Sequence, residues 1–169
     1  DESNTKYAQG GVAVVLDTET DSFNKHIEDT LIAGDGLCDE SVVEMVIKEG
    51  PKRLEELMFW GANFDLDQSG NLDLGKEGGH SEYRVVHHKD ITGFEIERAL
   101  LNRIHQLTSI TILPNHFAID LITNHQIKHI KDEVLNCFGA YVLDQKTGRI
   151  FTVKADNTLL SSGGIGCVY

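Results

Sequence analysis

The chain has 169 residues, of which 40% are hydrophobic, 25% are charged and 16 are glycine, a composition that excludes a disordered or collagen-like chain. Its 27 acidic and 15 basic residues give a formal net charge of −12, which disfavours binding to nucleic acid or to an anionic membrane surface. The longest uninterrupted apolar stretch, residues 12–16, is far shorter than the roughly 20 residues that span a bilayer.

Three widely spaced cysteines, Cys38, Cys137 and Cys167, form no CxxC pair. An odd, scattered set indicates reduced thiols in a cytoplasmic compartment, and each is predicted to be a small buried apolar side chain. The chain begins with Asp1 rather than Met and has no signal-like segment. Both ends are interpreted as cut, so we expect a piece of a longer polypeptide.

The first part of the chain predicts a loop, a strand and a helical block. Polar and small residues fill positions 3–11, and the β-branched run at 12–16 is typical of a buried strand. Apolar residues at helical spacing predict a helical block over about 22–60, with Ser22 and Asp39 as the N-caps of two helices. A Gly-Pro pair is expected to interrupt the second helix.

The second part predicts one helix between an irregular segment and a set of strands. Residues 62–90 contain the turn-forming stretches DQSGN and GKEGGH and are predicted to be the least regular region. Thr92 and Glu95 form a capping-box pattern that opens a helix over about 92–106. Strands follow between about 109 and 162, in a meander with one hairpin turn. The predicted strands are 108–113, 117–123, 137–144, 149–155 and 158–164.

Residues 65–73 resemble the loop of an EF-hand calcium site. They carry oxygen-bearing side chains at loop positions 1, 3, 5 and 9 and glycine at position 6. The match fails at position 12, where calcium needs a bidentate glutamate and the chain has Lys76. An ordinary turn is the favoured interpretation, and a non-enzymatic calcium-binding module is the alternative from a different functional class.

Histidines do not form a recognisable zinc motif. Three of them lie close in sequence between positions 80 and 88, and His125 and His129 are spaced i, i+4. No glutamate follows His125 as the HExxH motif requires, and the surrounding segment is charged. No metal site is therefore predicted.

Two glycine-rich turns, at 8–11 and 161–164, have the composition that lets backbone N–H groups approach a pyrophosphate or a flavin ring. No GxGxxG fingerprint follows a strand, so ordinary turns are an equal alternative. The polar segment 76–84 carries a glutamate, a histidine and an arginine. From residues alone, a nucleotide or flavin site is one hypothesis among these.

Taken in order, these segments resemble the flavoprotein family of L-aspartate oxidases, relatives of the flavoprotein subunits of succinate dehydrogenase and fumarate reductase. The matching stretches are SNTKYAQGGVAVV, HIEDTLIAGDGLCDE, KEGGHSEYRVVHHKDITGFEIERALL, HFAIDLIT, GAYVLD and SSGGIGCVY. The resemblance implies an α/β fold, namely part of a Rossmann-like, glutathione-reductase-type FAD-binding domain with a helical segment and a β-meander. It also implies that residues 1–169 are internal to that domain, without the family's dinucleotide fingerprint and cap domain.

The resemblance implies FAD-dependent oxidation of L-aspartate to iminoaspartate, the first step of NAD biosynthesis. A hydride would pass from the aspartate Cα to flavin N5, and oxygen or fumarate would reoxidise the flavin. Quinolinate synthase is a candidate protein partner. A soluble fumarate reductase or succinate dehydrogenase-type flavoprotein is the alternative within the superfamily.

The resemblance also assigns cofactor residues: the segment 4–11 would wrap the flavin, Phe117 and Ala118 would contact the adenosine end, and the last glycine turn would approach the cofactor. The residues implied for FAD are Asn4, Thr5, Lys6, Tyr7, Ala8, Gln9, Gly10, Gly11, Phe117, Ala118, Ser162, Gly163 and Gly164. Membrane-bound succinate dehydrogenases carry a histidine joined to FAD at the position of Asn4. Because asparagine has no nucleophilic ring nitrogen, the resemblance implies non-covalent FAD.

Three residues are implied at the substrate. Glu77 aligns with a family glutamate near the substrate amino group, and a carboxylate is a suitable partner for an ammonium group that succinate lacks. His80 and Arg84 lie in the same motif, where they would either contact substrate carboxylates or brace the loop. Because other family elements are absent, the chain alone is expected neither to bind FAD tightly nor to oxidise aspartate.

Overall fold

The structure, a computed structural model, describes residues 3–125 and 134–163. The chain divides into two compact units, Asp1–Ile110 and Thr111–Tyr169. No helix in the described ranges is both long enough and apolar enough to cross a bilayer.

Cys38 and Cys137 are free, half-buried thiols rather than the buried side chains that the sequence predicts, and Cys167 lies outside the described residues.

Unit 1 contains three α-helices and a small antiparallel sheet. Its elements are a short 3₁₀ helix (Thr5–Tyr7), β1 (Val12–Ala13), α1 (Phe23–Ala33), α2 (Glu40–Phe59), β2 (Leu74–Gly75), β3 (Val85–Val86) and α3 (Thr92–His105). Strand β3 lies between β1 and β2 and is antiparallel to both. The strand predicted at 12–16 is therefore only two residues long, although a bond from Val14 N to Arg84 O at 2.8 Å extends the pairing.

The helical block begins and ends where the sequence predicts. Ser22 Oγ accepts a hydrogen bond from Lys25 N at 3.2 Å, and the Asp39 carboxylate accepts two backbone N–H groups in the first turn of α2. Each bond satisfies an N–H group that the helix itself leaves unpaired. After α2, Gly61 adopts a φ of +96°, a left-handed conformation that glycine reaches without strain from a Cβ atom.

The expected interruption of α2 is wrong, because the helix runs through Pro51 without a break. Proline removes one helical hydrogen bond, but the preceding Gly50 has no side chain to clash with the proline ring. Ile47 and Leu54, on either side of the proline, are both buried. Tertiary packing of the apolar face therefore holds the helix across the missing bond.

The predicted capping box at the start of α3 is also wrong, although the helix itself is confirmed. Its N-cap is Ile91, and Thr92 Oγ1 accepts a bond from His88 N at 3.0 Å instead. Glu95 is buried and accepts a bond from Asn63 N at 2.7 Å. Thr92 is bonded to His88, and Glu95 is bonded to Asn63 and Arg98, so neither side chain caps the helix.

The core of unit 1 is built from the small sheet, α2, α3 and the residues that join them. Its fully buried apolar members are Val14, Leu54, Ala62, Phe64, Val86 and Ala99. At the start of α3, Gly93 N donates to Ala8 O at 3.0 Å, and a Cβ atom on Gly93 would lie 1.9 Å from Thr5 O. The missing side chain of Gly93 thus lets the 3₁₀ helix pack directly on α3.

Unit 2 is an antiparallel meander of β4 (His116–Thr123), β5 (Cys137–Asp144) and β6 (Ile150–Lys154). The predicted hairpin turn joins β5 to β6, where Gly148 has a φ of +70° and its N–H donates to Asp144 O at 2.8 Å. Three of the predicted strands are therefore confirmed.

The other two predicted strands, 108–113 and 158–164, are wrong over the residues that the structure describes. Residues 108–113 and 158–163 belong to neither sheet, and Gly164 lies outside the described residues. A β-branched run forms a strand only where a neighbour supplies the ladder hydrogen bonds. Within 3–125 and 134–163, neither segment has such a neighbour.

Candidate active site

Glu77 and His80 are the first and last residues of a tight turn, the 77–80 turn. His80 N donates to Glu77 O at 3.2 Å, and Gly79, the third residue, has a φ of +85°. A positive φ at this position belongs to a type II turn and favours glycine. The turn therefore brings together the backbones of two residues predicted to contact substrate.

Glu77 also reaches the predicted flavin segment. Its Oε1 accepts a bond from Gly11 N at 3.3 Å, and a Cβ atom on Gly10 would lie 3.5 Å from Oε2. A Cβ atom on Gly11 would lie 2.4 Å from both Val85 Cγ1 and Val86 O, so that position admits no side chain without movement. The structure thus joins a predicted cofactor residue and a predicted substrate residue that are 66 positions apart.

The segment 4–11 lies against the start of α3 and is largely exposed. A bond from Ala8 N to Thr5 O at 3.1 Å ends its 3₁₀ helix. No acceptor within the described residues is bonded to the backbone N–H of Gln9 or Gly10. Two exposed N–H groups beside a glycine can meet an acceptor on a ligand, as a flavin requires.

Arg84 is fully buried and is held by two carboxylates. Its Nε and Nη2 donate to Asp21 at 2.8 and 2.7 Å, and its Nη1 donates to Asp29 at 2.5 Å. The hydrogen bond to Asp21 raises the pKa of Arg84, which stays a cation. With all three nitrogens bonded inside the protein, Arg84 fits the bracing alternative better than a contact with substrate.

Asp29 connects α1 to the end of the 77–80 turn. Its Oδ2 accepts bonds from the backbone N and the Oγ of Ser81, both at 2.8 Å, in addition to the bond from Arg84. Burial by itself raises the pKa of Asp29, but the bonds from Ser81 and Arg84 outweigh burial and lower the pKa to about 2. The carboxylate is therefore ionised at neutral pH.

His80 contacts the same network. Its Nδ1 lies 3.4 Å from Arg84 Nη1, and its ring meets the ring of His26 edge-on with centroids 5.6 Å apart. Burial, followed by the charge of Arg84, lowers the pKa of His26. His26 Nδ1 has no hydrogen-bond partner in the part of the chain that the structure describes. A neutral, buried His26 therefore acts here as a packing surface for His80.

The segment 65–73 forms the predicted turn. An antiparallel bridge joins its two sides, and the Asp67 carboxylate accepts bonds from Ser69 N at 2.8 Å and Asn71 N at 3.0 Å. This is the geometry of an Asx turn, in which the carboxylate replaces a backbone acceptor. The aspartate that an EF-hand would place at loop position 3 is thus bonded to the turn's own N–H groups.

Two neighbouring histidines lie beside the carboxylate of Asp65, and His88 Nδ1 has no hydrogen-bond partner within the described residues. His87 Nδ1 lies 3.2 Å from Asp65 Oδ2, and His88 Nδ1 lies 3.5 Å from Oδ1. A bond from Lys89 N is the main cause of the lowered pKa of Asp65. The described ranges contain no group of three or more His, Cys, Asp or Glu side chains arranged to hold a metal ion. His129 lies outside those ranges.

The remaining predicted cofactor residues lie in unit 2. Phe117 and Ala118 are in β4, and the Phe117 side chain is exposed. Ser162 and Gly163 are exposed and follow β6, and Gly163 has a φ of +76°. Gly164 lies outside the described residues.

Asp21, His26 and Asp29 contact the predicted site but were not predicted from the sequence. His26 and Asp29 are three residues apart on α1 and therefore share a face of that helix. Their spacing is a signal that the sequence does contain. The sequence does not show which segment packs on this face, because the bonds that join Asp29 to Ser81 and Arg84 span more than 50 residues.

Comparison with known proteins gives a family match over residues 1–168, to the family described as FAD binding domain. The chain is 46% identical over 168 residues to a chloroplastic L-aspartate oxidase of Oryza sativa, covering 99% of this chain and 25% of that protein. It is 40% identical over 170 residues to L-aspartate oxidase 1 of Ralstonia nicotianae, covering 99% of this chain and 31% of that protein. The chain thus spans between a quarter and a third of the length of these relatives.

Among solved structures, the chain is similar to FrdA of E. coli quinol fumarate reductase. The TM-score is 0.89 at 27% sequence identity, and the match covers 99% of this chain and 27% of that chain. This likeness confirms the predicted fold class, a partial FAD-binding domain of mixed helices and sheets. Because the family match extends over residues 1–168, the chain belongs to the FAD-binding domain family.

Proposed function

We propose that the chain is the FAD-binding part of an enzyme that oxidises L-aspartate to iminoaspartate, with oxygen or fumarate as the electron acceptor. The observation that carries the proposal is the contact of Glu77 with Gly11, which brings a carboxylate to the segment that would hold the flavin. The relatives named L-aspartate oxidase support the substrate, and the family match supports FAD.

The segment 4–11 fits a flavin in two respects. The exposed backbone N–H groups of Gln9 and Gly10 are suitable donors to a ligand, and glycine at position 10 leaves space beside Glu77. Asn4 offers no nucleophilic ring nitrogen, so FAD would bind non-covalently. When bound, FAD supplies the two-electron redox chemistry, and the protein orients the substrate.

Glu77 would bind the substrate ammonium group. Gly11 N donates to Oε1, and Oε2 would lie 3.5 Å from a Cβ atom on Gly10. An ionised carboxylate pairs well with an ammonium group, whereas fumarate and succinate have none. Glu77 would therefore select aspartate over these dicarboxylates. His80, at the other end of the turn, is a candidate contact for a substrate carboxylate, with Arg84 bracing it.

The assignments in unit 2 rest on the family resemblance alone. Phe117 and Ala118 would contact the adenosine end of FAD, and Ser162, Gly163 and Gly164 would approach the cofactor. Weak FAD binding by the chain alone stays a prediction, which its visible flavin absorbance would check.

Quinolinate synthase as partner and the cytoplasm as location are further parts of the proposal. The partner rests on the resemblance and would be checked by co-purification. The location is supported by the free thiols of Cys38 and Cys137, whereas the rice relative is named chloroplastic.

The decisive experiment replaces Glu77 by Gln in the full-length protein. Glu77→Gln should lower kcat/KM for L-aspartate about 100-fold with unchanged FAD content, because a neutral amide cannot pair with the ammonium charge. Glu55→Gln, an exposed change on α2, is the control and should leave aspartate oxidation unchanged. Unchanged oxidation by Glu77→Gln would contradict the role proposed for Glu77, whereas a wild-type enzyme that reduces fumarate without oxidising aspartate would favour a soluble fumarate reductase.

A further inference from the structure

The 77–80 turn has little packing to hold it in place. Glu77, Gly78 and Gly79 are exposed, and His80 is only half-buried. An exposed turn with two glycines depends on polar contacts at its ends for a defined position. The contacts of the next residue, Ser81, therefore help to hold Glu77 and His80 in place, in addition to the bond from Gly11 N to Glu77 Oε1.

Ser81 is bonded on both sides of its backbone. Its N–H and its hydroxyl both donate to Asp29 Oδ2 at 2.8 Å, and its carbonyl accepts a bond from Lys76 Nζ at 2.8 Å. The N–H of Ser81 belongs to the peptide group that directly follows His80. A bond to this N–H therefore holds the end of the 77–80 turn itself.

The carboxylate of Asp29 also binds the buried guanidinium of Arg84. Asp29 Oδ2 accepts from Arg84 Nη1 at 2.5 Å, and this nitrogen lies 3.4 Å from His80 Nδ1. Without the charge of Asp29, only Asp21 would remain to balance Arg84. Asp21 would still hold Nε and Nη2, but Nη1 would lose its acceptor beside His80 Nδ1, which would alter the contact of Arg84 with the turn.

We propose that Asp29 is a positioning residue for substrate binding, which acts through Ser81 and Arg84 to set the 77–80 turn relative to Gly10 and Gly11. The inference rests on the proposed function, since it takes Glu77 as the contact of the substrate ammonium group. His26, on the same face of α1, supports the turn from the side through its contact with the His80 ring.

The test compares two reactions of the same full-length enzyme. Oxidation of L-aspartate needs Glu77 in place, whereas reduction of fumarate by a chemical reductant involves no ammonium group. Asp29→Ala should lower kcat/KM for aspartate about tenfold relative to kcat/KM for fumarate. Asp29→Asn keeps an oxygen in place but loses the charge, so we expect a smaller relative loss, about threefold. FAD content should be unchanged in both variants.

Glu28→Gln is the matched control, because Glu28 is the exposed neighbour of Asp29 and its replacement removes the same charge. It should leave both reactions unchanged. Equal losses in the two reactions, or wild-type values in Asp29→Asn, would overturn the inference. If Asp29→Ala fails to fold, Asp29→Asn decides alone. A wild-type enzyme that does not oxidise aspartate would instead refute the proposed function.

Discussion

Glu77 Oε1 accepts a hydrogen bond from Gly11 N at 3.3 Å, which connects the loop before β1 to the turn between β2 and β3. Both segments flank strands of one sheet, because β3 pairs with β1 and β2. The sheet therefore carries the flavin segment and the substrate turn on the same small framework. Changes to the framework should affect both segments together.

The two glycines at this contact should respond differently to alanine. A Cβ atom on Gly11 would lie 2.4 Å from Val85 Cγ1 and Val86 O, whereas on Gly10 it would meet Glu77 Oε2 at 3.5 Å. Gly11→Ala should lower the free energy of unfolding by about 1–3 kcal/mol, the usual cost of forced overpacking. Gly10→Ala should change it by less than about 0.5 kcal/mol. Denaturant unfolding measures both, and equal effects would contradict the geometry.

Buried and exposed arginines offer a second comparison. Arg84 and Arg53 each pair with two carboxylates, but the side chain of Arg84 is 1% exposed and that of Arg53 is 53% exposed. Arg84→Gln should destabilise the protein by about 3–5 kcal/mol, because it leaves the buried Asp21 and the partly buried Asp29 without their cation. Arg53→Gln should have almost no effect on the free energy of unfolding, because solvent screens an exposed ion pair. A similar loss in both variants, measured by chemical denaturation, would count against this role of Arg84.

Glu95 should contribute stability through its hydrogen bonds. It is 5% exposed and accepts from Asn63 N at 2.7 Å and from Arg98 Nε at 2.8 Å. Glu95→Gln should lower the free energy of unfolding by about 1–3 kcal/mol, because an amide group replaces one acceptor oxygen by a donor. Glu55→Gln, an exposed change on α2, is the control and should have almost no effect.

Two carboxylates should make the fold sensitive to acid. The bonds from Ser81 and Arg84 outweigh burial and lower the pKa of Asp29 to about 2, and the bond from Arg98 is the main cause that lowers the pKa of Glu95 to about 2. Both folded-state pKa values lie below the ordinary values of 3.8 and 4.5. The two carboxylates therefore stabilise the folded protein fully above about pH 5, and this stabilisation is lost as the pH falls toward 2.

Urea unfolding between pH 6 and about 2.5 would measure this loss. Glu95→Gln should show a shallower decline over the same range, because one of the carboxylates with a lowered pKa is gone. A variant that declines as steeply as the wild type would show that Glu95 does not contribute.

Local chemistry made parts of this fold predictable. N-caps at Ser22 and Asp39 and the glycine after α2 depend on neighbouring residues, and the structure confirms them. The hairpin of β5 and β6 was predictable for the same reason, because a short turn that contains Gly148 joins these two strands.

Predictions failed where distant partners decide the outcome. Pro51 lies inside a helix because buried neighbours hold it, and Glu95 binds Asn63 instead of capping α3. The run at 108–113 has strand-like residues but pairs with no strand in the described ranges. Resemblance to family motifs was enough to predict which residues form the site, whereas the contacts of Asp29 can be seen only in the folded chain.

The close packing of Gly93 against Thr5 and Ala8 has a consequence for cofactor affinity. It anchors the 3₁₀ helix of the segment 4–11 on the start of α3 through contacts within the protein. A cofactor that binds there would not have to order this stretch first, so less of its binding free energy would be lost to chain entropy. The site is therefore preorganised, because the absence of a side chain on Gly93 lets the segment 4–11 pack on α3.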